Sequence, residues 1–125
     1  GGAPFYWTAE GSREISEEFT NFADSRPDWW TAVGIDGAME ALTAVEETGS
    51  TEPAELIEFL EGRSFEWSRS GTQWRACDHR AIQPYHFLGG LGEDERTEDG
   101  EFWEVLGRTG GEEIMRSCDA TGCNL

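Results

Sequence analysis

The chain has 125 residues and a formal net charge of −17, from nine basic and 26 acidic residues. That length supports one domain with a modest core, to which six Trp and seven Phe contribute. The charge argues against nucleic acid and anionic membranes as partners, and no segment reaches the ~18 apolar residues of a membrane-spanning helix.

Hydrophobic content is 37%, lean for this size, as expected if one face normally packs on structure outside the chain. All nine basic residues are Arg. An acidic, Lys-free surface suits high salt, where carboxylates hold hydration and their repulsion is screened; Arg-rich codon usage is the competing explanation.

The first predicted helix starts at Ser12 and runs to about Ala23, with Ile15, Phe19, Phe22 and Ala23 on one stripe. Arg26-Pro27 ends it, because a residue before Pro avoids the α region. Asp28 caps a second helix, with Trp29 and Trp30 in its first turn and Gly49 stopping it. Its expected core face is Val33, Ala38, Ala41, Leu42 and Val45. Gly34 and Gly37 suggest close approach of another backbone. Thr51-Glu52-Pro53 starts a third helix with the stripe Leu56, Ile57, Leu60, ended by Gly62.

Ser64 to Ser68 alternates, with Phe65 and Trp67 on one face. Gln73 to Cys77 and an apolar stretch ending at Leu88 read as two strands of a hairpin around the Asp78-His79 step. Gly89 to Glu101, with four Gly and six acids, reads as a loop. Residues 102–125 read as an extended tail containing a short strand or helical turn at Phe102 to Leu106. The division is therefore 1–88 for the helices and hairpin, 89–101 for the acidic Gly-rich loop, and 102–125 for the tail.

Cys77, His79, Cys118 and Cys123 have zinc-ligand residue types, but the spacing departs from the usual Cys-x2-4-Cys pairs, and Cys-x-His puts two ligands on opposite faces of a strand. Disulfide chemistry fits better. The reading favours Cys118–Cys123, a six-residue turn at a chain end; a bond from Cys77 to either tail cysteine is the alternative and would pin the tail to the hairpin. No nucleophile–base pair accompanies His79 or His86, so no enzyme is expected. There is no phosphate loop, dinucleotide fingerprint or calcium loop, so no cofactor is expected.

Arg75, Asp78 and His79 carry most of an Arg-x-x-Asp-His-Gln signature, with Arg80 in place of the Gln. Phe5-Tyr6-Trp7-Thr8, the helix from Pro27 to Leu42 with Ile35-Asp36-Gly37-Ala38, Thr48 to Pro53, Phe59 to Gly62 and the tail around Gly111 to Ile114 and Thr121 to Cys123 stand in matching order. The ordered set resembles the C-terminal third of branched-chain-amino-acid-type (amino acid/amide) solute-binding proteins of ABC transporters. The resemblance implies an α/β fold, part of the type I periplasmic-binding-protein fold, with three helices followed by a β-hairpin and an extended tail. It implies a solute-binding component that takes a small polar ligand, such as an amino acid or amide, by closure of a cleft between two lobes. Its implied partners are that ligand, a membrane permease, and the missing lobe or a partner chain; its implied location is periplasmic or extracellular. Trp30 aligns with an aromatic ligand contact, and Tyr6 and Trp7 lie on the cleft side in the same comparison. The opening Gly1-Gly2-Ala3-Pro4 reads as a start within the fold, without a signal-peptide pattern. The alternative reading is a stand-alone acidic interaction module, with or without zinc, whose exposed aromatic residues form a protein interface.

Overall fold

Helix α2, Trp29–Thr48, organises the chain, and both of its ends are set by local chemistry. Asp28 Oδ1 accepts from the Thr31 backbone N–H and hydroxyl, each at 2.8 Å, which satisfies an otherwise unpaired first-turn donor. Gly49 closes the other end at φ 64°, its N–H donating to Val45 O at 2.9 Å. The structure is a computed structural model that describes residues 12–69, 71–97 and 101–123. Helix α1 (Arg13–Ala23) precedes α2, and α3 (Pro53–Leu60) packs against it with Pro53 in its first turn.

Two small antiparallel sheets follow. Strands β1 (Ser64–Phe65), β2 (Thr72–Trp74) and β3 (Ala81–Ile82) lie in the order β1-β2-β3. Phe65 stands opposite Thr72, and Trp74 opposite Ala81. Strands β4 (Tyr85–Gly90) and β5 (Trp103–Thr109) form a separate two-stranded ribbon with an irregularity at Phe87/Leu88. The short helix α4 (Gly111–Ile114) and a 3-10 turn at Cys118–Ala120 complete the described chain.

The hairpin expected from Gln73 to Leu88 is thus divided. Its second half breaks at Pro84, which has no N–H to donate, and the residues beyond it join β5 instead of β2. The expected loop from Gly89 is correspondingly shorter, because Gly89 and Gly90 pair with Glu104 and Trp103. The expected extended tail contains β5 and α4. Gly111 is buried at the start of α4, where a Cβ would come 2.5 Å from Gln83 O and 2.6 Å from Ile82 Cγ2. Only glycine allows this approach of α4 to the end of β3.

The apolar face of α2 is the main departure from expectation. Its buried residues are Ala32, Asp36, Glu40 and Ala44, whereas Val33, Leu42 and Val45 are 38%, 65% and 38% exposed. The helix is rotated so that two carboxylates face inward. They remain buried because each is met by several donors, the condition under which a buried charge is tolerated. Asp36 accepts from the Ser68 N–H at 2.8 Å and from Arg69 Nε at 2.6 Å. Glu40 accepts from the Trp67 and Trp74 indole N–H groups at 2.8 and 3.1 Å and from Arg63 Nε at 3.2 Å. Among the described residues the buried apolar side chains are Ala32, Ala44, Phe65 and Ile82, with the Phe65 and Trp74 rings 5.5 Å apart.

The expected Cys118–Cys123 bond is replaced by Cys77–Cys118, with Cα atoms 5.8 Å apart, and Cys123 is a free, exposed thiol. The observed bond spans 41 residues. By loop entropy, a link of that span stabilises by about 4 kcal/mol, against about 2 for the short turn. Arg75 supports it, donating from its Nη1 to Arg116 O at 2.7 Å. As partners in a disulfide, Cys77 and Cys118 are not thiolate ligands, which removes the Cys77–His79–Cys118–Cys123 zinc arrangement from this form of the chain.

Candidate functional site

The N-terminal end of α2 presents two adjacent tryptophans in different settings. Trp29 is half-buried, and the Arg69 guanidinium lies 5.4 Å from its ring centroid, within cation–π range. Arg69 is itself fixed: its Nη2 lies 2.5 Å from Asp36 Oδ2, and its Nη1 donates to Gln83 Oε1. Trp30 is 77% exposed. A surface aromatic thus stands beside a braced one, an arrangement that can stack on the apolar part of a small ligand. Thr31, through its N–H and hydroxyl, holds the Asp28 carboxyl below the usual carboxylate range, so Asp28 stays ionised as the cap.

Of the residues expected to meet ligand, Trp30 lies on this exposed face, while Tyr6 and Trp7 lie outside the described residues. Sequence reasoning missed Arg69. Its signal was the pair Asp36 and Glu40 one helical turn apart, two acids on one face that require cationic partners.

The Asp78-His79 step is a turn, as its sequence suggested. Arg75 N donates to Arg80 O and His79 N to Arg75 O, both at 2.8 Å, with His79 in the left-handed region at φ 54°. Arg75 clasps Asp78 through Nε at 2.9 Å and through Nη2. That hydrogen bonding holds the Asp78 carboxyl at about 2, below its ordinary 3.8. His79 Nε2 lies 2.8 Å from Glu61 Oε1 at the rim of an apolar cleft of about 160 Å³ lined by Ile57, Leu60 and Trp74. This cleft is smaller than the roughly 300–1,000 Å³ of ordinary ligand pockets.

The face of α2 that carries Trp30 continues as Val33, Gly34, Gly37, Ala38, Ala41, Leu42 and Val45, all exposed. A Cβ added at Gly34 or Gly37 would meet nothing within 4 Å. The close backbone approach that these glycines suggest is therefore not made within the described residues. The sequence profile described as periplasmic binding protein matches residues 1–91. The chain belongs to the periplasmic binding protein family. This periplasmic-binding-protein chain also matches, with a TM-score of 0.85 and 23% identity, the crystal structure of an amino acid ABC transporter substrate-binding protein from Pseudomonas fluorescens Pf-5. The match covers 94% of this chain and 31% of that one, so the chain spans about a third of that protein and has the fold of that third. No curated protein gave a match.

Proposed function

We propose that the chain is the C-terminal portion of the solute-binding component of an ABC importer. The complete protein binds a small polar ligand, such as an amino acid or amide, by closure of two lobes and delivers it to a membrane permease. The observation that carries this reading is the inverted helix α2, buried through Asp36 and Glu40 and apolar where it is exposed. A stripe of Val, Gly, Ala and Leu is the shape of a face made to be covered. The remaining two thirds of a protein of the matched size supplies such a cover. In this reading Trp30, Tyr6 and Trp7 are the residues of this chain that contact the ligand, whose charged groups are met by residues of that remainder. A periplasmic or extracellular location agrees with the Cys77–Cys118 disulfide.

Calorimetric titration with a panel of amino acids and amides tests this. The 125-residue chain alone should bind weakly or not at all, because half a cleft cannot enclose a ligand. Joined to the sequence encoded upstream of Gly1, roughly 250 residues by the matched length, it should bind one of them at micromolar affinity. In that longer protein Trp30→Ala should weaken binding by about tenfold, the loss of one stacking contact. Micromolar binding by the short chain alone, or none by the long one, would sink the proposal. An upstream frame without a signal peptide or further lobe would instead favour a stand-alone acidic interaction module.

A further inference from the structure

The three cysteines are joined by more than composition. Cys77–Cys118 ties the β2–β3 turn to the tail, and Cys123 follows Cys118 by five residues as an exposed thiol. The segment between them is folded back. Thr121 donates its N–H and its hydroxyl to Cys118 O at 3.1 and 2.7 Å, and the Cys123 N–H donates to the Thr121 hydroxyl at 3.3 Å. Gly122, at φ 73°, makes the reversal. One hydroxyl thus links the backbones of Cys118 and Cys123. Arg75 stands at the same junction, clasping Asp78 and donating from its Nη1 to Arg116 O at 2.7 Å.

We infer that Cys77, Cys118 and Cys123 form an intramolecular thiol–disulfide exchange site that moves the bridge between Cys77–Cys118 and Cys118–Cys123. The Cys123 thiol first gives its proton to water. The thiolate then attacks Cys118 Sγ; the Cys118–Cys123 S–S bond forms as the Cys77–Cys118 bond breaks. The electron pair leaves on Cys77 Sγ, which takes a proton back from water. One disulfide and one thiol stand on each side, so no external oxidant or reductant is consumed. The short tether keeps the attacking sulfur at a high effective concentration beside its target. The longer bridge is the one that the folded chain holds, where Arg75 donates to Arg116 O beside it. Exchange releases the tail from the β2–β3 turn and leaves the Arg75–Arg116 hydrogen bond and the Gly111 contact to hold it.

The test is disulfide mapping of the 125-residue chain, incubated at about pH 8 without added thiol, then quenched in acid, alkylated while unfolded and digested in acid. Peptides with both bridges are expected, with alkylated Cys77 rising in step with the Cys118–Cys123 peptide. The rate should rise with pH and stay unchanged on dilution. Cys123→Ser, at an exposed position outside the disulfide, should abolish Cys77 alkylation. Cys77→Ser, given a mild oxidant, should close Cys118–Cys123. Alkylation of Cys77 that is equal in wild type and Cys123→Ser overturns the inference. So does a rate that falls with dilution, or a Cys77→Ser chain that cannot close the short bridge.

Discussion

Glu40→Ala should be among the most damaging single substitutions in this chain. Glu40 is 1% exposed and accepts from both the Trp67 and Trp74 indoles as well as from Arg63. Truncation leaves two indole N–H groups facing a void that offers no acceptor. Stranding a buried donor costs about 1–3 kcal/mol, and breaking a buried ionic contact by removing one partner costs about 3–5. Arg63 is 29% exposed in its side chain and can turn to water, so its share is discounted. A loss of about 3 kcal/mol follows, or a fall of roughly 10 °C in Tm at this chain length. Glu40→Gln keeps one carbonyl oxygen for one indole and should lose about half as much. Urea unfolding followed by tryptophan fluorescence and far-UV circular dichroism measures both. A double-mutant cycle with Trp67→Phe should show a coupling of about 1 kcal/mol. If Glu40→Ala loses less than about 1 kcal/mol and adds simply to Trp67→Phe, the polar seam does not hold α2 to the sheet.

Gly111→Ala should lower stability by about 1–3 kcal/mol or more, since its Cβ would overlap the Gln83 backbone, whereas Gly110→Ala, whose Cβ would meet only the Glu113 side chain at 3.7 Å, should change little in the same melts. Asp78 titrates at about 2 when folded against 3.8 ordinarily, so its contribution to stability is present above about pH 4 and is lost as pH falls toward 2. Acid titration should therefore show a shallower decline across that window for Asp78→Asn; equal slopes would show that the Arg75 clasp does not act on stability. Thermal melts in a potassium chloride series should rise, because 26 acidic against nine basic residues repel in dilute buffer and are screened in molar salt; a flat series would leave codon usage as the origin of the composition.

What the sequence made legible was local. Asp28 and Gly49 mark both ends of α2 because capping involves atoms three or four residues away. The Asp78-His79 turn was legible for the same reason. The burial of α2 was not. The partners of Glu40 lie 23, 27 and 34 residues downstream, and a hydrophobic pattern gives no warning that a carboxylate will find two indoles. The pattern marked an apolar stripe and assigned it to the core of this chain, yet nothing among the described residues covers it. The division at Pro84 has a simple sign, a missing donor within an apparent strand. The disulfide turned on whether the tail returns to the β2–β3 turn, which depends on β5 and α4 and is not read from cysteine spacing. Trp30 was placed by resemblance, and its exposure is compatible with the role given it; Arg69 was not singled out at all.

The carboxylates of α2 also bear on which way the helix faces. A surface of Val33, Gly34, Gly37, Ala38 and Ala41 is smooth, and a smooth helix can turn about its axis or slide by a residue at little cost against a flat partner. Asp36 and Glu40 sit one turn apart and reach distinct donors, the first the 68–69 backbone and guanidinium, the second two indoles. A rotation of one residue, about 100°, strands both charges at once. The seam therefore acts as a two-toothed key: it fixes the rotational phase of α2 from behind, so that the featureless side is presented outward in a single orientation with Trp30 at its end.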